Sequence, residues 1–134
     1  MASIFSKIVA GEIPCYKIAE DDQFLAFLDI NPLANGHTLV IPKNETDYLF
    51  DLEDAELGKM IVFSKKVAIA IKKVIPCARI GITVIGLEVP HAHIHLIPIN
   101  GMSDMNFASP KLKLDQRDFL NIAASIREAV QASA

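Results

Sequence analysis

The sequence of 134 residues has no tryptophan, only two cysteines and no lysine or arginine run longer than two residues. Cys15 and Cys77 lie far apart in the chain and form no Cys-x-x-Cys pair. This pattern argues against a disulfide framework and against a cysteine-based zinc site. It is typical of free thiols in a reducing compartment, and we therefore expect a cytoplasmic protein.

Other absences limit the class of partner. The stretch from Met1 to Pro14 lacks the basic start and apolar run of a secretory signal peptide. The most apolar helical stretch, Met60 to Ile75, contains four lysines and cannot cross a membrane. A net charge of −3 without a basic face argues against a nucleic-acid binder. A small anionic ligand remains compatible, because a few N–H groups and imidazoles can hold one phosphate.

Three of the chain's four histidines fall in the run HAHIHLI at residues 91–97. A strand from His91 to Ile97 would carry three imidazoles on one face, because alternate side chains share a face. Ala92, Ile94 and Leu96 would form the other, core-facing side. Imidazoles make a poor core because each ring N–H needs a partner. The alternation therefore predicts an active site or a metal site, with a solvent-exposed polar face as the alternative.

Metal binding and acid–base chemistry place different demands on these rings. A catalytic zinc ion takes three protein ligands. Residues two apart on a strand can supply two ligands, but the third ring would lie roughly 13 Å from the first. We therefore expect no metal and no cofactor at the three histidines. Nucleophilic attack or proton transfer suits them better, since the histidine pKa of about 6.5 makes neutral and charged forms both available.

The hydrophobic pattern predicts one α+β domain over 1–134, with about five strands in a mainly antiparallel sheet and the helices on one side. The long helix is expected to bury Met60, Ile61 and Val67. The last two strands are close enough to pair as a hairpin. The expected elements, in chain order, are a short helix over Ile4–Ala10, strands over Tyr16–Ala19, Gln23–Ile30 and His37–Ile41, a long helix from Asp51–Asp54 to about Val74, strands over Arg79–Ile85 and His91–Ile97, an irregular excursion over Gly101–Lys113, and a final helix over about 115–131.

The run at 91–97 resembles the signature of the histidine triad (HIT) family, His-φ-His-φ-His-φ-φ, in which φ is apolar. Three further segments, Ile4–Pro14, Phe27–Pro32 and Gly36–Lys43, resemble the family at matching spacings, especially its Hint branch of nucleoside phosphoramidases. The resemblance covers about Ile4 to Pro98, and the tail from Gly101 carries no motif. It implies a HIT-like fold, a purine nucleotide or nucleotide conjugate as ligand, and a homodimer with two sheets joined across a two-fold axis.

The resemblance also implies a role for each matching residue. His93 would attack the α-phosphorus of a nucleotide and form a nucleotidyl-histidine that water then hydrolyses. His91 and His95 would orient His93 and bind phosphate oxygens, while His37 would complete the histidine cluster. Asp29 would accept hydrogen bonds from the ribose hydroxyls. Apolar residues would sandwich the base: Ile4, Phe5, Ile8, Phe27, Ile30 and Leu39.

Several of these residues have ordinary structural explanations when taken alone. Asp29 precedes Asn31-Pro32 and could simply start a turn. His37 follows a glycine and could simply open a strand. Apolar residues on the face of the first helix are more often plain core. The functional roles of these positions therefore depend on the resemblance.

The sequence departs from the family just before the triad. Residues 86–90 read Gly-Leu-Glu-Val-Pro, where the family usually carries Gly-Gln-small-φ-x. Leu87 cannot donate a hydrogen bond, and an inward Glu88 would bring negative charge toward phosphate, although the Glu88 backbone N–H could still serve an oxyanion. We expect the nucleotidyl step to be retained, with an altered rate or leaving group. The open alternatives are a nucleotide-binding module with little turnover, a dinucleoside polyphosphate hydrolase, and a metal-binding protein.

Overall fold

The computed structural model describes residues 2–133, which form one antiparallel sheet with helices on both of its faces. The sheet order is β1-β2-β3-β5-β4, and every neighbouring pair of strands is antiparallel. This confirms the predicted α+β class and the hairpin pairing of the last two strands. The elements are α1 (Ile4–Val9), β1 (Lys17–Glu20), β2 (Phe24–Leu28), β3 (Thr38–Pro42), α2 (Asp54–Val74), β4 (Arg79–Thr83), β5 (Ile94–Ile99) and α3 (Gln116–Ala132).

Alternation along the strands separates two apolar layers. The larger layer lies between the sheet and the two long helices, and it contains Ala92, Ile94 and Leu96, as the pattern predicted. The smaller layer lies on the opposite face of the sheet, where Phe5 of α1 packs with Phe27 of β2. The expectation that all helices lie on one side is therefore wrong for α1. Phe5 is the buried side chain of that short helix, and its partners point away from the main core.

The strand that carries the histidines begins later than predicted. Strand β5 starts at Ile94, which pairs with Val40 of β3, and β4 ends opposite His95. The backbone before Ile94 bonds elsewhere, because the Ala92 N–H donates to the Thr46 carbonyl at 2.6 Å. Only His95 of the three histidines therefore lies in a strand.

The long helices follow the predicted pattern with two corrections. Helix α2 starts at Asp54, whereas Asp51 belongs to a preceding 3₁₀ turn over Leu49–Asp51. Met60 and Val67 are buried as expected, but Ile61 is 46% exposed, since it lies about 100° around the helix from Met60. Helix α3 covers nearly the predicted range and is capped by Asp115. No helix among residues 2–133 has the length and apolar character needed to cross a membrane.

Gly36 sets the entry into β3 and so the position of His37. Its φ is +86°, a left-handed conformation that favours glycine. A Cβ at this position would lie 2.8 Å from the Ile75 Cγ1 atom, just past the end of α2. The chain can therefore turn tightly against α2 immediately before His37.

Candidate active site

All four histidines of the chain meet on the face of the sheet that carries α1. Their rings come from the residue just before β3, from β5 and from the irregular segment before β5. His37 and His91 are 1% and 0% exposed, whereas His93 and His95 retain 6% and 7%. The ring centroids of His93 and His95 are 5.0 Å apart. These two rings are therefore the ones that remain accessible to a ligand.

One hydrogen bond fixes the tautomer of His93. Its Nδ1 lies 2.7 Å from the backbone carbonyl oxygen of His91. A carbonyl can only accept, so Nδ1 carries the proton and donates it. In neutral His93 the lone pair then resides on Nε2. An imidazole held in this way is a nucleophile with one defined attacking atom.

The same reasoning fixes the tautomers of His37 and His95. The backbone N–H of Leu33 donates to His37 Nδ1 at 3.0 Å, so His37 carries its proton on Nε2. That Nε2 donates to His95 Nδ1 at 3.0 Å, which leaves the proton of His95 on its own Nε2. Burial lowers the pKa of His37 to about 3 and that of His95 to about 4, with a neighbouring histidine adding to each shift. Both rings are neutral near pH 7, and His95 presents an N–H donor.

His91 uses both of its ring nitrogens inside the protein. Nε2 donates to the Pro42 carbonyl at 2.7 Å, and Nδ1 accepts from the Ser3 hydroxyl at 2.8 Å. Burial lowers the pKa of His91, which favours this neutral form. The His91 ring therefore has no free nitrogen for a phosphate oxygen. Its contact with His93 is made through the backbone carbonyl.

Asp29 follows β2 and reaches the edge of the histidine cluster. Its Oδ1 accepts from the Asn31 N–H at 2.8 Å, so the turn-starting role considered for this residue is present. Its Oδ2 lies 3.5 Å from His37 Nε2, so the carboxylate also belongs to the site. Burial raises the pKa of Asp29, and the charge of the exposed Glu88 adds to that rise.

An apolar wall adjoins His93. The Phe5 ring stands edge-on to His93 at 5.1 Å and to Phe27 at 5.6 Å. Leu39 is buried in the same cluster, and Ile8 packs against it. Ile4 and Ile30 are 51% and 65% exposed and lie outside this buried cluster. The structure thus brings four of the six predicted base-contacting residues into one apolar cluster, in which Phe5 contacts His93.

Two site residues lie in the excursion after β5, which sequence reasoning left without a role. The Phe107 ring stands edge-on to His95 at 4.9 Å. The Lys111 ammonium donates to the Phe107 carbonyl and to the Ser109 carbonyl, so it ties residues 107–111 of this loop to one another. The charge of Lys111 also opposes the rise in the Asp29 pKa. No motif marks this loop, so the sequence offered no signal for it.

The hydrogen bonds also bear on metal binding. Among residues 2–133, Asp29, His37 and His95 are the group whose ligand atoms lie within 4.8 Å of one another. A metal on His37 Nε2 would require the ring proton to move to Nδ1. That nitrogen already accepts the Leu33 N–H, so the proton would meet another donor. These hydrogen bonds therefore favour a proton between the His37 and His95 rings over a metal ion bound by both.

Comparison with known proteins gives a consistent result. Residues 10–102 match the model of the HIT domain family. An uncharacterized HIT-like protein of Borreliella burgdorferi is 38% identical over 92% of this chain and 94% of its own. A Schizosaccharomyces pombe protein named adenosine 5'-monophosphoramidase is 40% identical over 73% of this chain and 74% of its own. The crystal structure of a zinc-bound histidine triad family protein from Mycobacterium smegmatis is 28% identical and superimposes with a TM-score of 0.85 over 99% of this chain and 96% of that one.

Replacing His37 by asparagine is expected to flatten the pH dependence of stability. The folded-state pKa of His37, about 3, lies below its ordinary 6.5, so on acidification the unfolded chain takes up this proton first. The His37 contribution is complete above pH 6.5 and is lost as the pH falls toward 3, the folded-state value. Each such histidine adds a slope of about 1.4 kcal/mol per pH unit.

Urea unfolding of the parent and of His37→Asn at about pH 7, 6 and 5, at one protein concentration, measures this slope. Asparagine keeps an oxygen that can accept the Leu33 N–H, so the variant is expected to fold. The parent should lose stability more steeply than the variant over this range. Equal slopes would contradict the neutral, buried His37.

Proposed function

The chain belongs to the histidine triad (HIT) family, and we propose that it is a nucleotide-binding hydrolase that acts on a nucleoside phosphoramidate or related nucleotidyl conjugate through His93. The observation that carries the proposal is the hydrogen bond from His93 Nδ1 to the His91 carbonyl, since it leaves the Nε2 lone pair free. The name of the fission yeast relative, adenosine 5'-monophosphoramidase, supports an adenosine phosphoramidate as the substrate class.

In the first step, His93 Nε2 attacks the α-phosphorus and forms a P–N bond, while the bond from phosphorus to the leaving amine breaks. The amine leaves neutral after its nitrogen has taken a proton from solvent. Positive charge develops on the His93 ring, so its Nδ1–H bond to the His91 carbonyl strengthens as the transition state forms. The His95 Nε2–H donates to a phosphate oxygen and stabilises the negative charge there.

In the second step, water attacks the phosphorus of the nucleotidyl-His93. The bond to Nε2 breaks, its electron pair returns to the ring, and the nucleoside monophosphate is released. The proton lost by water passes to solvent and balances the proton taken up by the amine. His93 returns to its starting tautomer, because its Nδ1 has kept its proton, hydrogen-bonded to the His91 carbonyl, throughout.

The remaining site residues are proposed to hold the nucleotide. A purine would lie against the wall of Phe5, Phe27 and Leu39, with Ile8 behind it and with the exposed Ile4 and Ile30 able to cover its edges. The partly buried Asp29 carboxylate would accept the ribose hydroxyls. The backbone N–H of Glu88 would serve a phosphate oxygen. The proposed position of the base is supported by the contact between Phe5 and His93.

Removing the nucleophile is expected to abolish turnover while leaving the nucleotide bound. The parent should release AMP from adenosine 5′-phosphoramidate, and chromatography measures the rate of this release. The rate for His93→Ala should be lower by at least about a thousandfold. Glu128→Gln on the exposed face of α3 is the control for a charge change remote from the site. Calorimetric titration with AMP checks that the pocket of each variant is intact. Equal turnover by parent and His93→Ala would contradict the proposal.

The same assay separates the remaining readings. AMP binding without turnover by the parent would favour a nucleotide-binding module, and preference for a dinucleoside polyphosphate would favour that hydrolase.

We propose that Leu87 and Glu88, both exposed, alter the choice of leaving group. The double variant Leu87→Gln/Glu88→Ser should change the relative rates for phosphoramidates with different amines. An unchanged rate profile would remove this role from the loop.

We further propose that the protein is a homodimer that pairs through β4. This strand is at the edge of the described sheet, and Ile82 within it is 53% exposed. Val84 and Ile85, which follow it, are also exposed. An edge strand with exposed apolar residues is suited to pair with a second copy. Light scattering after size exclusion should give twice the mass of one chain for the parent and a smaller mass for Ile82→Lys, whereas a monomeric parent would contradict the proposal.

A further inference from the structure

Two serines of the N-terminal helix contact the first histidine of the triad. The Ser3 hydroxyl accepts the Ser6 N–H at 3.0 Å, which caps α1, and donates its own proton to His91 Nδ1 at 2.8 Å. The Ser6 hydroxyl lies 3.4 Å from the same nitrogen. Because His91 Nε2 donates to the Pro42 carbonyl, Nδ1 needs a donor. The Ser3 hydroxyl supplies that donor from a position that is 5% exposed.

Glu45 fastens both serines to the loop that follows β3. One of its oxygens, Oε1, accepts from the Ser3 backbone N–H and from the Ser6 hydroxyl, the latter at 2.8 Å. These bonds lower the pKa of Glu45 to about 2, so the residue remains an anion under ordinary conditions. The Ser6 hydroxyl proton is committed to Glu45 in this arrangement, and the Ser3 proton is left for His91. The Glu45 carboxylate therefore determines that Ser3, and not Ser6, donates its hydroxyl proton to the His91 ring.

The end of β3 and the loop after it hold His91 from its other side. The Pro42 carbonyl accepts from the His91 ring at 2.7 Å, and the Thr46 carbonyl accepts from the Ala92 backbone at 2.6 Å. Helix α1 and the loop 42–46 thus engage both ring nitrogens of His91 and the next peptide. Such a complete set of partners leaves His91 one position and one tautomer.

We propose that Ser3, Ser6 and Glu45 form a clamp that positions His91 and thereby aims the nucleophile His93. The link is the His91 carbonyl, which is the acceptor for His93 Nδ1. The three residues are positioning residues, since their contacts reach His93 only through His91. The consequence for turnover rests on the proposed function, whereas the clamp itself rests on the hydrogen bonds. A displaced His91 carbonyl would tilt the His93 ring and move Nε2 off the line of attack.

The test removes the hydroxyls while keeping a residue that helix N-termini tolerate. Glycine is well tolerated at an N-cap, so Ser3→Gly/Ser6→Ala should fold. Its kcat for adenosine 5′-phosphoramidate should fall about tenfold or more, with KM little changed, because positioning rather than binding is lost. Ser3→Thr retains a hydroxyl and should recover most of the parent's kcat.

Glu45→Gln tests the carboxylate without a large change of shape. Glutamine keeps an acceptor oxygen but loses the charge, so its kcat should fall less than that of the double serine variant. Glu128→Gln removes one negative charge from the exposed face of α3 and is the matched control, expected to behave as the parent. A kcat for Ser3→Gly/Ser6→Ala equal to that of the parent, with the parent active, would overturn the clamp.

A second readout needs no substrate. The ionisation of His91 can be followed by NMR through its ring carbon-bound proton. Loss of the Ser3 hydroxyl donor destabilises the neutral ring, and Glu45 and His93 are the charged or titratable groups that act on it. The pKa of His91 should therefore rise in Ser3→Gly/Ser6→Ala relative to the parent and to Ser3→Thr. An unchanged His91 titration would overturn the clamp even if the parent proved inactive, an outcome that would by itself defeat only the proposed activity.

Discussion

The hydrogen bond from His93 Nδ1 to the His91 carbonyl is the constraint on which the rest of the site depends. At 2.7 Å it joins two residues only two apart in the chain, so it is set by the local path of the backbone. That path is possible because β5 begins only at Ile94, so neither of the two residues is held in a strand ladder. Because the backbone at His91–His93 is irregular, the His91 carbonyl can accept the His93 Nδ1–H, which leaves the lone pair of the His93 ring on one defined nitrogen.

Burial supplies the second condition, which is neutrality. Imidazoles enclosed by protein lose the hydration that would stabilise their charged form, and the pKa values of His37 and His95 fall to about 3 and about 4. Buried rings are costly unless each nitrogen has a partner. Among residues 2–133 no buried side-chain nitrogen or oxygen lacks one. The backbone groups that bond to the histidine ring nitrogens belong to Leu33, Pro42 and His91. The fold itself therefore determines which ring nitrogen carries each proton.

The sequence predicted the parts of this site that depend on local pattern. Alternation at 91–97 placed Ala92, Ile94 and Leu96 in the core and the histidines on the opposite face, and the family resemblance identified the fold. The alternation predicted too early a start for β5. A strand extends only as far as its partner strands do, and β4 stops opposite His95. The prediction for the face of α1 was also wrong, since a six-residue helix can bury its one large ring on either side.

Contacts between distant parts of the chain were beyond the reach of pattern. Ser3 and His91 are 88 positions apart, and Ser3 and Glu45 are 42 apart, so no periodicity connects them. Ser3 is the N-cap of α1, but an N-cap uses only its acceptor lone pair, and this role says nothing about the hydroxyl proton. Phe107 contacts His95 from an irregular loop, 12 positions further along the chain, that no motif marks. These interactions exist only after the chain has folded.

The most direct test of this account is to read the tautomer of every histidine in the free protein. Long-range nitrogen–proton correlation spectra of histidine-labelled protein near neutral pH distinguish a protonated Nδ1 from a protonated Nε2. The hydrogen bonds predict three rings with the proton on Nε2, those of His37, His91 and His95, and one with the proton on Nδ1, that of His93. A His93 ring with its proton on Nε2 would have no lone pair at the proposed attacking atom and would contradict the central claim.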